Sequence, residues 1–187
     1  MIAEYISNAV SSLKKKYDES NPFRLAKAMG ICLIPQSMGT DENCCKGFFM
    51  VSRRIPAIVY NDDLPERIQE IIVMHEIGHA VLHRKKAEIK CFHDFEIFDS
   101  TSSNEYEANM FAADYMLEDQ DVLDRLNSYQ SFFEAAQKLR VPPELLDFKF
   151  KMMNMRGTFK IDSPIDTNST FLKNVPTREA IEWVSCF

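Results

Sequence analysis

The amino-acid sequence predicts an α+β protein that is mainly helical and carries one small sheet of three strands. Two observations lead to this fold class. Apolar residues recur at helical spacing over most of the chain, whereas runs rich in aromatic and β-branched residues are confined to residues 31–62. A chain of 187 residues, 45% of them hydrophobic, is long enough to bury one core of ordinary size.

The first two helices are predicted from apolar spacing and from the residues at their ends. Residues 2–17 have helical periodicity and end in the basic run Lys14–Lys16, which suits the negative end of a helix dipole. The segment PFRLAKAMG follows with Asn21 as its cap, Pro22 at its first helical position and Gly30 as its terminator. We expect two short amphipathic helices ahead of the sheet.

The three strands are predicted in residues 31–62. ICLIPQ is one strand, and GFFMV and PAIVYND, separated by the polar SRRI, form a hairpin. The AIVY part of the last strand could present a free edge to an extended peptide, or it could lie in the core without such a role. Both interpretations are open from the sequence.

A long helix follows from about Leu64 to His83, with Asp62 or Asp63 as its cap. It is apolar almost all round, which indicates a mostly buried helix, and its basic HRKK end again suits the dipole. Residues 84–101 are predicted to form an irregular connection. SSNEYEANMFAADYML is the next helix, with a capping signal of Ser102 and, three residues later, Glu105.

The C-terminal third is predicted to be helical and then irregular. We expect a domain over residues 1–157, in which residues 120–157 form a helical subregion of two or three short helices broken at Val141-Pro142-Pro143. EAAQKLRVPPELLDFKF has the outline of a DNA-reading helical pair, but a pair that completes the core or docks a partner is favoured, because the net charge is −6. Residues 158–187 form a tail in which TREAIEWV is expected to dock as a short helix.

The motif HEIGH on the long helix predicts a metal site. His75 and His79 are four residues apart, so they lie one turn apart on the same helical face, where two neutral imidazoles can bind one zinc ion. Glu76 beside them could act as a general base that activates water. Both histidines share a stripe with core residues, where unpartnered imidazoles would be costly. Because the motif alone also occurs by chance, a buried helix without metal is the alternative.

The third metal ligand is expected to be Glu105. A histidine six residues after His79 would complete a metzincin site, but Lys85 stands there. On the next helix Glu105 and Glu107 point about 200° apart, so only one can bind, and Glu105 lies nearer the apolar side. Asn109, one turn later, could hydrogen-bond a histidine or the ligand backbone. A capping role for Glu105, serving Ser102, is the alternative.

The paired motifs HEIGHAVLH and EYEANMFAADYML resemble those of the ImmA/IrrE family of metallopeptidase-like proteins, over roughly residues 20–150. Asn61, at the end of the strand before the long helix, is similar to the family as well. Glu118 stands where the family often has proline, which we expect to alter only the following turn.

The resemblance implies a gluzincin-like, zincin-like fold with a short sheet over the zinc helix. It implies that His75, His79 and Glu105 bind Zn²⁺, that Glu76 is the general base, and that the substrate is a protein. Many members are encoded in phages or mobile elements beside helix-turn-helix repressors, which they are thought to cleave.

The expected function is therefore a zinc-dependent metallo-endopeptidase that cleaves a regulatory protein, such as a transcriptional repressor. The alternative is a metal-containing module that binds and sequesters its partner without proteolysis. The residue that completes the oxyanion site is left open among four side chains: Tyr60, His83, His93 and Tyr106.

Composition limits the setting in which this function operates. An acidic chain of pI near 5.3 makes direct nucleic-acid binding unlikely. No signal peptide and no membrane-spanning run is expected. Five cysteines in no regular framework suit the reducing cytoplasm. The pair Cys44–Cys45 and Cys91 could bind the zinc ion as thiolates, although idle thiols are favoured.

Overall fold

A three-stranded mixed sheet lies against one long helix, and further helices surround that pair. The computed structural model describes residues 2–41, 44–84, 103–128, 131–160, 162–169 and 171–174. Its elements in chain order are α1 (Ile2–Tyr17), α2 (Pro22–Ala28), β1 (Cys32–Gln36), β2 (Gly47–Ser52), β3 (Ile55–Asn61), α3 (Glu66–Leu82), α4 (Ser103–Met116), α5 (Asp119–Ser128), α6 (Phe132–Leu139), α7 (Pro143–Met155) and α8 (Phe171–Asn174). The α+β prediction, mainly helical with three strands, is confirmed.

The sheet has the strand order β1-β3-β2. β2 and β3 form the predicted antiparallel hairpin around a two-residue turn, in which Arg53 and Arg54 both take positive φ angles of 51° and 68°. β1 pairs with β3 in parallel, from Cys32 opposite Ala57 to Gln36 opposite Asn61. β3 is therefore the central strand, so the interpretation of AIVY as a free edge is wrong.

The starts of two helices test the predicted caps. The Oδ1 atom of Asn21 accepts a hydrogen bond of 3.1 Å from the backbone N–H of Arg24, and Gly30 has a φ of 73° after α2, as predicted. The prediction that Asp62 or Asp63 caps α3 is wrong, because the cap position is Pro65 and no side chain bonds there. The Asp63 carboxylate instead accepts bonds from Ser37 and from the backbone N–H of Gly39.

Two glycines let other elements approach α3 closely. A Cβ atom on Gly47 of β2 would stand 2.7 Å from the Cγ2 atom of Ile72, so the sheet rests directly on the helix. A Cβ atom on Gly78 of α3 would stand 3.2 Å from the Cα atom of Ala108, so α3 and α4 approach each other backbone to backbone. The glycine inside the HEIGH motif therefore has a packing role between two helices.

Helix α7 lies in the hydrophobic core. Leu145, Leu146 and Phe148 are fully buried, and the Phe148 ring packs edge-on against Tyr106 of α4. A DNA-reading helix must expose the face that enters the groove. The helical pair around Val141-Pro142-Pro143 therefore completes the core, and its outline as a DNA-reading unit is not borne out.

A charged network joins α4 to its neighbours. Lys149 of α7, with 1% of its surface exposed, lies 2.7 Å from carboxylate oxygens of both Asp114 and Asp119. Arg156 pairs with the same two carboxylates, and the hydroxyl of Ser7 on α1 donates to Asp114. Because each buried charge has at least one opposite partner, the network fixes the packing of these helices.

The segment after α7 packs against the core through α8, where the Phe171 ring stacks obliquely on Phe148. The Asp147 carboxylate accepts a hydrogen bond from the backbone N–H of Thr167. The predicted connection over 85–101, the cap Ser102 and the predicted helix TREAIEWV lie outside the described residues. The described helices include none with the length and apolar composition that crossing a bilayer requires.

Candidate metal centre

Three predicted ligands meet where α3 crosses α4. The Nε2 atoms of His75 and His79 are 3.0 Å apart. One carboxylate oxygen of Glu105 lies 3.1 Å from the Nε2 atom of His75, and the other lies 3.3 Å from the Nε2 atom of His79. Among the described residues, these three form a group whose ligand atoms lie within 4.8 Å of one another.

The close contact at Gly78 makes this meeting possible. His75 and His79 lie one turn apart on α3, and Gly78 lies between them in the sequence. Because Gly78 has no side chain, the backbone of Ala108 on α4 can come close, and Glu105, one turn before Ala108, reaches both histidines. The side of α4 that carries Glu105 and Ala108 is thus the surface on which the two helices meet.

The spacing between the histidine nitrogens and the two Glu105 oxygens fits a zinc ion. Zinc bonds to nitrogen and oxygen are about 2.0–2.1 Å long, so neighbouring ligand atoms of a tetrahedral site are about 3.3 Å apart. The separations of 3.0, 3.1 and 3.3 Å in this cluster are close to that value. Three protein ligands would leave one position of a tetrahedral site for water or substrate.

Glu76 is a buried carboxyl group next to this cluster. Only 5% of its surface is exposed, and its carboxylate accepts a hydrogen bond from the backbone N–H of Phe49 on β2. Burial raises the pKa of Glu76 to about 7, and the charge of Glu105 adds to the increase, while His79 and the Phe49 N–H oppose it. A carboxyl group with this pKa can both accept and return a proton near neutral pH.

Glu105 is held in its charged form. Its burial acts to raise the pKa, but hydrogen bonds from His75 and His79 outweigh that effect and keep the pKa of Glu105 well below its ordinary value. With neutral histidines, Glu76 and Glu105 together would bring two negative charges into the site when both are ionised, and a divalent cation would neutralise both. The contact with both histidines is what the ligand interpretation predicts for Glu105.

Glu107 does not join the cluster but contacts another histidine. Its carboxylate oxygen lies 3.1 Å from the Nε2 atom of His83, whose Nδ1 atom lies 3.1 Å from the Nδ1 atom of His79. Sequence reasoning considered His83 only as an oxyanion donor and missed this contact. The signal was present, because His83 follows His79 by four residues and therefore continues the same stripe of α3.

The position of Asn109 is as predicted, but its hydrogen bond is not to the ligands. The side chain is fully buried, and its amide donates a bond of 2.9 Å to the backbone oxygen of Ser169. Its Oδ1 atom has no partner in the part of the chain that the structure describes. A role of Asn109 beside the histidines stays a prediction.

Two tyrosines named as oxyanion donors have apolar neighbours. The Tyr60 ring packs edge-on against Phe23, and the Tyr106 ring packs against Phe148. His93 and Cys91 lie outside the described residues. The Sγ atom of Cys44 contacts the Nζ atom of Lys46 at 3.0 Å, and Cys45 is exposed; neither thiol belongs to the cluster of His75, His79 and Glu105.

Comparison with known proteins identifies the family. The model of the IrrE N-terminal-like domain, Peptidase_M78, matches residues 27–151, which is well over half of the chain. The chain belongs to the Peptidase_M78 family. The ImmA/IrrE resemblance drawn from the paired motifs is thereby confirmed, and the family is one of metallopeptidases.

A curated relative of this Peptidase_M78 chain comes from a virus. It is similar to "Uncharacterized immunity region protein 2" of Bacillus phage phi105, with 33% identity over 144 residues that cover 77% of this chain and 88% of the relative. No solved structure gives a significant match. The name of this relative associates it with a phage immunity region.

Proposed function

We propose that this chain is a zinc-dependent endopeptidase that cleaves a regulatory protein. The observation that carries the proposal is the cluster formed by the Nε2 atoms of His75 and His79 and the two carboxylate oxygens of Glu105, with contacts of 3.0 to 3.3 Å, beside the buried carboxyl group of Glu76. The two histidines and Glu105 would hold the ion. A module that only binds its partner has no need of a base, so the presence of Glu76 favours catalysis.

In the proposed reaction Glu76 moves the proton. When bound, the zinc ion supplies a Lewis acid that lowers the pKa of water and polarises a carbonyl group. The Glu76 carboxylate takes a proton from the attacking water and returns it to the amine that leaves as the C–N bond breaks.

The substrate is proposed to lie along β2. Among the described strands β2 is an edge, and its backbone groups point alternately towards β3 and away from it. The N–H of Phe49 points away from β3, because it donates to the Glu76 carboxylate. An extended peptide that added to this edge would pass directly beside the general base.

The proposed substrate class is a transcriptional repressor of the helix-turn-helix type, encoded by a phage or mobile element. Two observations support this choice: membership of a metallopeptidase family, and similarity to a protein named for a phage immunity region. Cleavage would occur in the cytoplasm, and the free thiols of Cys32, Cys44 and Cys45 are typical of a reducing compartment.

The decisive experiment incubates purified zinc-loaded protein with the repressor encoded beside its gene. We expect fragments by mass spectrometry with the parent protein and none with the Glu76→Gln variant, which keeps the size of the side chain but cannot act as a base. Glu66→Gln, at an exposed position of the same helix, is the matched control and should cleave like the parent.

Loss of repression without any fragment, in parent and Glu76→Gln alike, would contradict the proposal. That outcome would instead support the sequestering module. Equal cleavage by the parent and by Glu76→Gln would rule out Glu76 as the general base.

A further inference from the structure

The stripe of histidines on α3 extends one turn beyond the candidate metal centre. His83, immediately after α3, has 8% of its surface exposed and is held between two groups. Its Nδ1 atom lies 3.1 Å from the Nδ1 atom of His79, and its Nε2 atom lies 3.1 Å from a carboxylate oxygen of Glu107. Both nitrogens of His83 therefore have a partner, and each partner lies on a helix that carries a proposed ligand.

We propose that His83 and Glu107 are positioning residues that orient His79 for metal binding, an inference that rests on the proposed function. A metal ion at the Nε2 atom of His79 requires a free electron pair there, so the proton of the neutral ring lies on Nδ1. That N–H then donates to the Nδ1 atom of His83. The proton of neutral His83 must therefore lie on Nε2, where it donates to Glu107.

These hydrogen bonds form one consistent chain from carboxylate to ligand. Each neutral imidazole donates one hydrogen bond and either accepts another or binds the metal, and the chain ends on the carboxylate group of Glu107. Outer partners of this kind fix the tautomer and ring orientation of a ligating histidine and raise its basicity. The described contacts of Glu107 and His83 lie on the Nδ1 side of His79, opposite the nitrogen that faces His75 and Glu105.

The two ligand histidines differ in this respect. The Nδ1 atom of His75 is buried and has no hydrogen-bond partner in the described part of the chain. Among the described contacts, only the Nδ1 atom of His79 meets an imidazole, that of His83, which in turn contacts the Glu107 carboxylate. His83 itself is not placed as a ligand, because it does not belong to the group of donor atoms that converge on one point.

The test measures zinc affinity of the purified protein by competition with a chromophoric chelator. Outer partners of ligating histidines are worth about 10–100-fold in metal affinity. We expect a loss of that size in His83→Leu and in Glu107→Leu. The double variant should lose no more than the worse single variant, because both changes interrupt the same chain.

A partial rescue separates orientation from packing. In His83→Asn a carboxamide oxygen can take the place of Nδ1 and accept from His79, so this variant should recover part of the affinity that His83→Leu loses. Thermal unfolding in excess chelator shows whether each variant folds without metal. If a leucine variant does not fold, the zinc affinities of His83→Asn and Glu107→Gln are compared with that of the parent instead. The expected loss of affinity in these two variants is smaller.

The outcomes distinguish this inference from the function on which it rests. If the parent binds zinc tightly and all variants at both positions bind it equally well, the inference is wrong and the proposed function stands. An additive double variant, or an Asn variant no better than Leu, would also overturn the inference. If the parent binds no zinc while remaining folded, both proposals fail.

Discussion

In the metal-free protein, the buried carboxyl group of Glu76 should make stability depend on pH. The pKa of this group rises from an ordinary value of 4.5 to about 7 on folding, chiefly because of burial. Folded protein therefore binds the Glu76 proton more tightly than unfolded protein does, and its contribution to stability is largest below pH 4.5. That contribution is lost as the pH rises from 4.5 to 7 and stays lost above 7.

The size of this effect follows from the two pKa values. At about 1.4 kcal/mol per pH unit, the difference between 4.5 and about 7 corresponds to about 3 kcal/mol. Glu76→Gln removes the charge without changing the shape of the side chain. The metal-free variant should therefore be more stable than the parent at pH 8 by up to about 3 kcal/mol, and close to it at pH 4.5.

Thermal unfolding in excess chelator at several pH values between 4.5 and 8 measures this difference. For a chain of this size 1 kcal/mol corresponds to about 2–4 °C, so the two melting temperatures should diverge by about 6–12 °C. Glu66→Gln, at an exposed position of the same helix, should show no such divergence. Saturating zinc should reduce it, because the cation compensates the buried charge. An equal offset between parent and Glu76→Gln at pH 5 and pH 8 would refute the reasoning.

Three further changes test other parts of the structure. Gly78→Ala should weaken zinc binding, measured by chelator competition, because the new Cβ atom would press on Ala108 of α4. We expect this loss although alanine favours helix formation over glycine by about 1 kcal/mol. Unchanged affinity would contradict the proposed role of this contact. Phe148→Ala should destabilise the protein by about 3–5 kcal/mol in chemical denaturation, because the ring is fully buried; a loss below about 1 kcal/mol would be inconsistent with its place in the core. Burial acts to raise the pKa of Asp119, but Lys149 and Arg156 hold this pKa below its ordinary value. The stability of the folded protein should therefore fall as the pH drops below about 4. Asp119→Asn should weaken this pH dependence, measured by acid unfolding.

The sequence predicts the helices and the hairpin well because their signals are local. Asn21, Pro22 and Gly30 act within a few residues of the ends they define. The wrong prediction that Asp62 or Asp63 caps α3 shows where such local signals fail. Asp63 is a suitable capping residue, but Ser37 and Gly39, distant in sequence, compete for its carboxylate, and no local pattern reveals that competition.

The strand order could not be predicted for a related reason. A hairpin turn requires β2 to pair with β3, but it does not indicate on which side β1 will add. Because β1 pairs with β3 in parallel, β3 becomes the central strand, and β2 is left as the edge along which we propose that the substrate lies. This pairing depends on tertiary contacts such as those of β1 with α2, which periodicity within one strand does not report.

For the candidate site, helical geometry predicted that only one of the two glutamates would reach His75 and His79. Glu105 contacts His75 and His79, while Glu107 points elsewhere, as their angular separation predicts. The contact between Glu107 and His83 was missed because the motif was taken to end at His79. The packing that brings α3 and α4 together at Gly78 sets which side chains meet, and it is visible only in the folded chain.

The most direct test of the central claim is zinc content together with X-ray absorption at the zinc edge. The account predicts one zinc ion per chain, bound through nitrogen and oxygen atoms at about 2.0–2.1 Å. It also predicts that Glu105→Ala weakens zinc binding by more than the roughly 10–100-fold that an outer partner is worth. A sulfur shell at about 2.3 Å would place the ion at cysteines instead. That result, or zinc affinity unaffected by the loss of Glu105, would contradict the account.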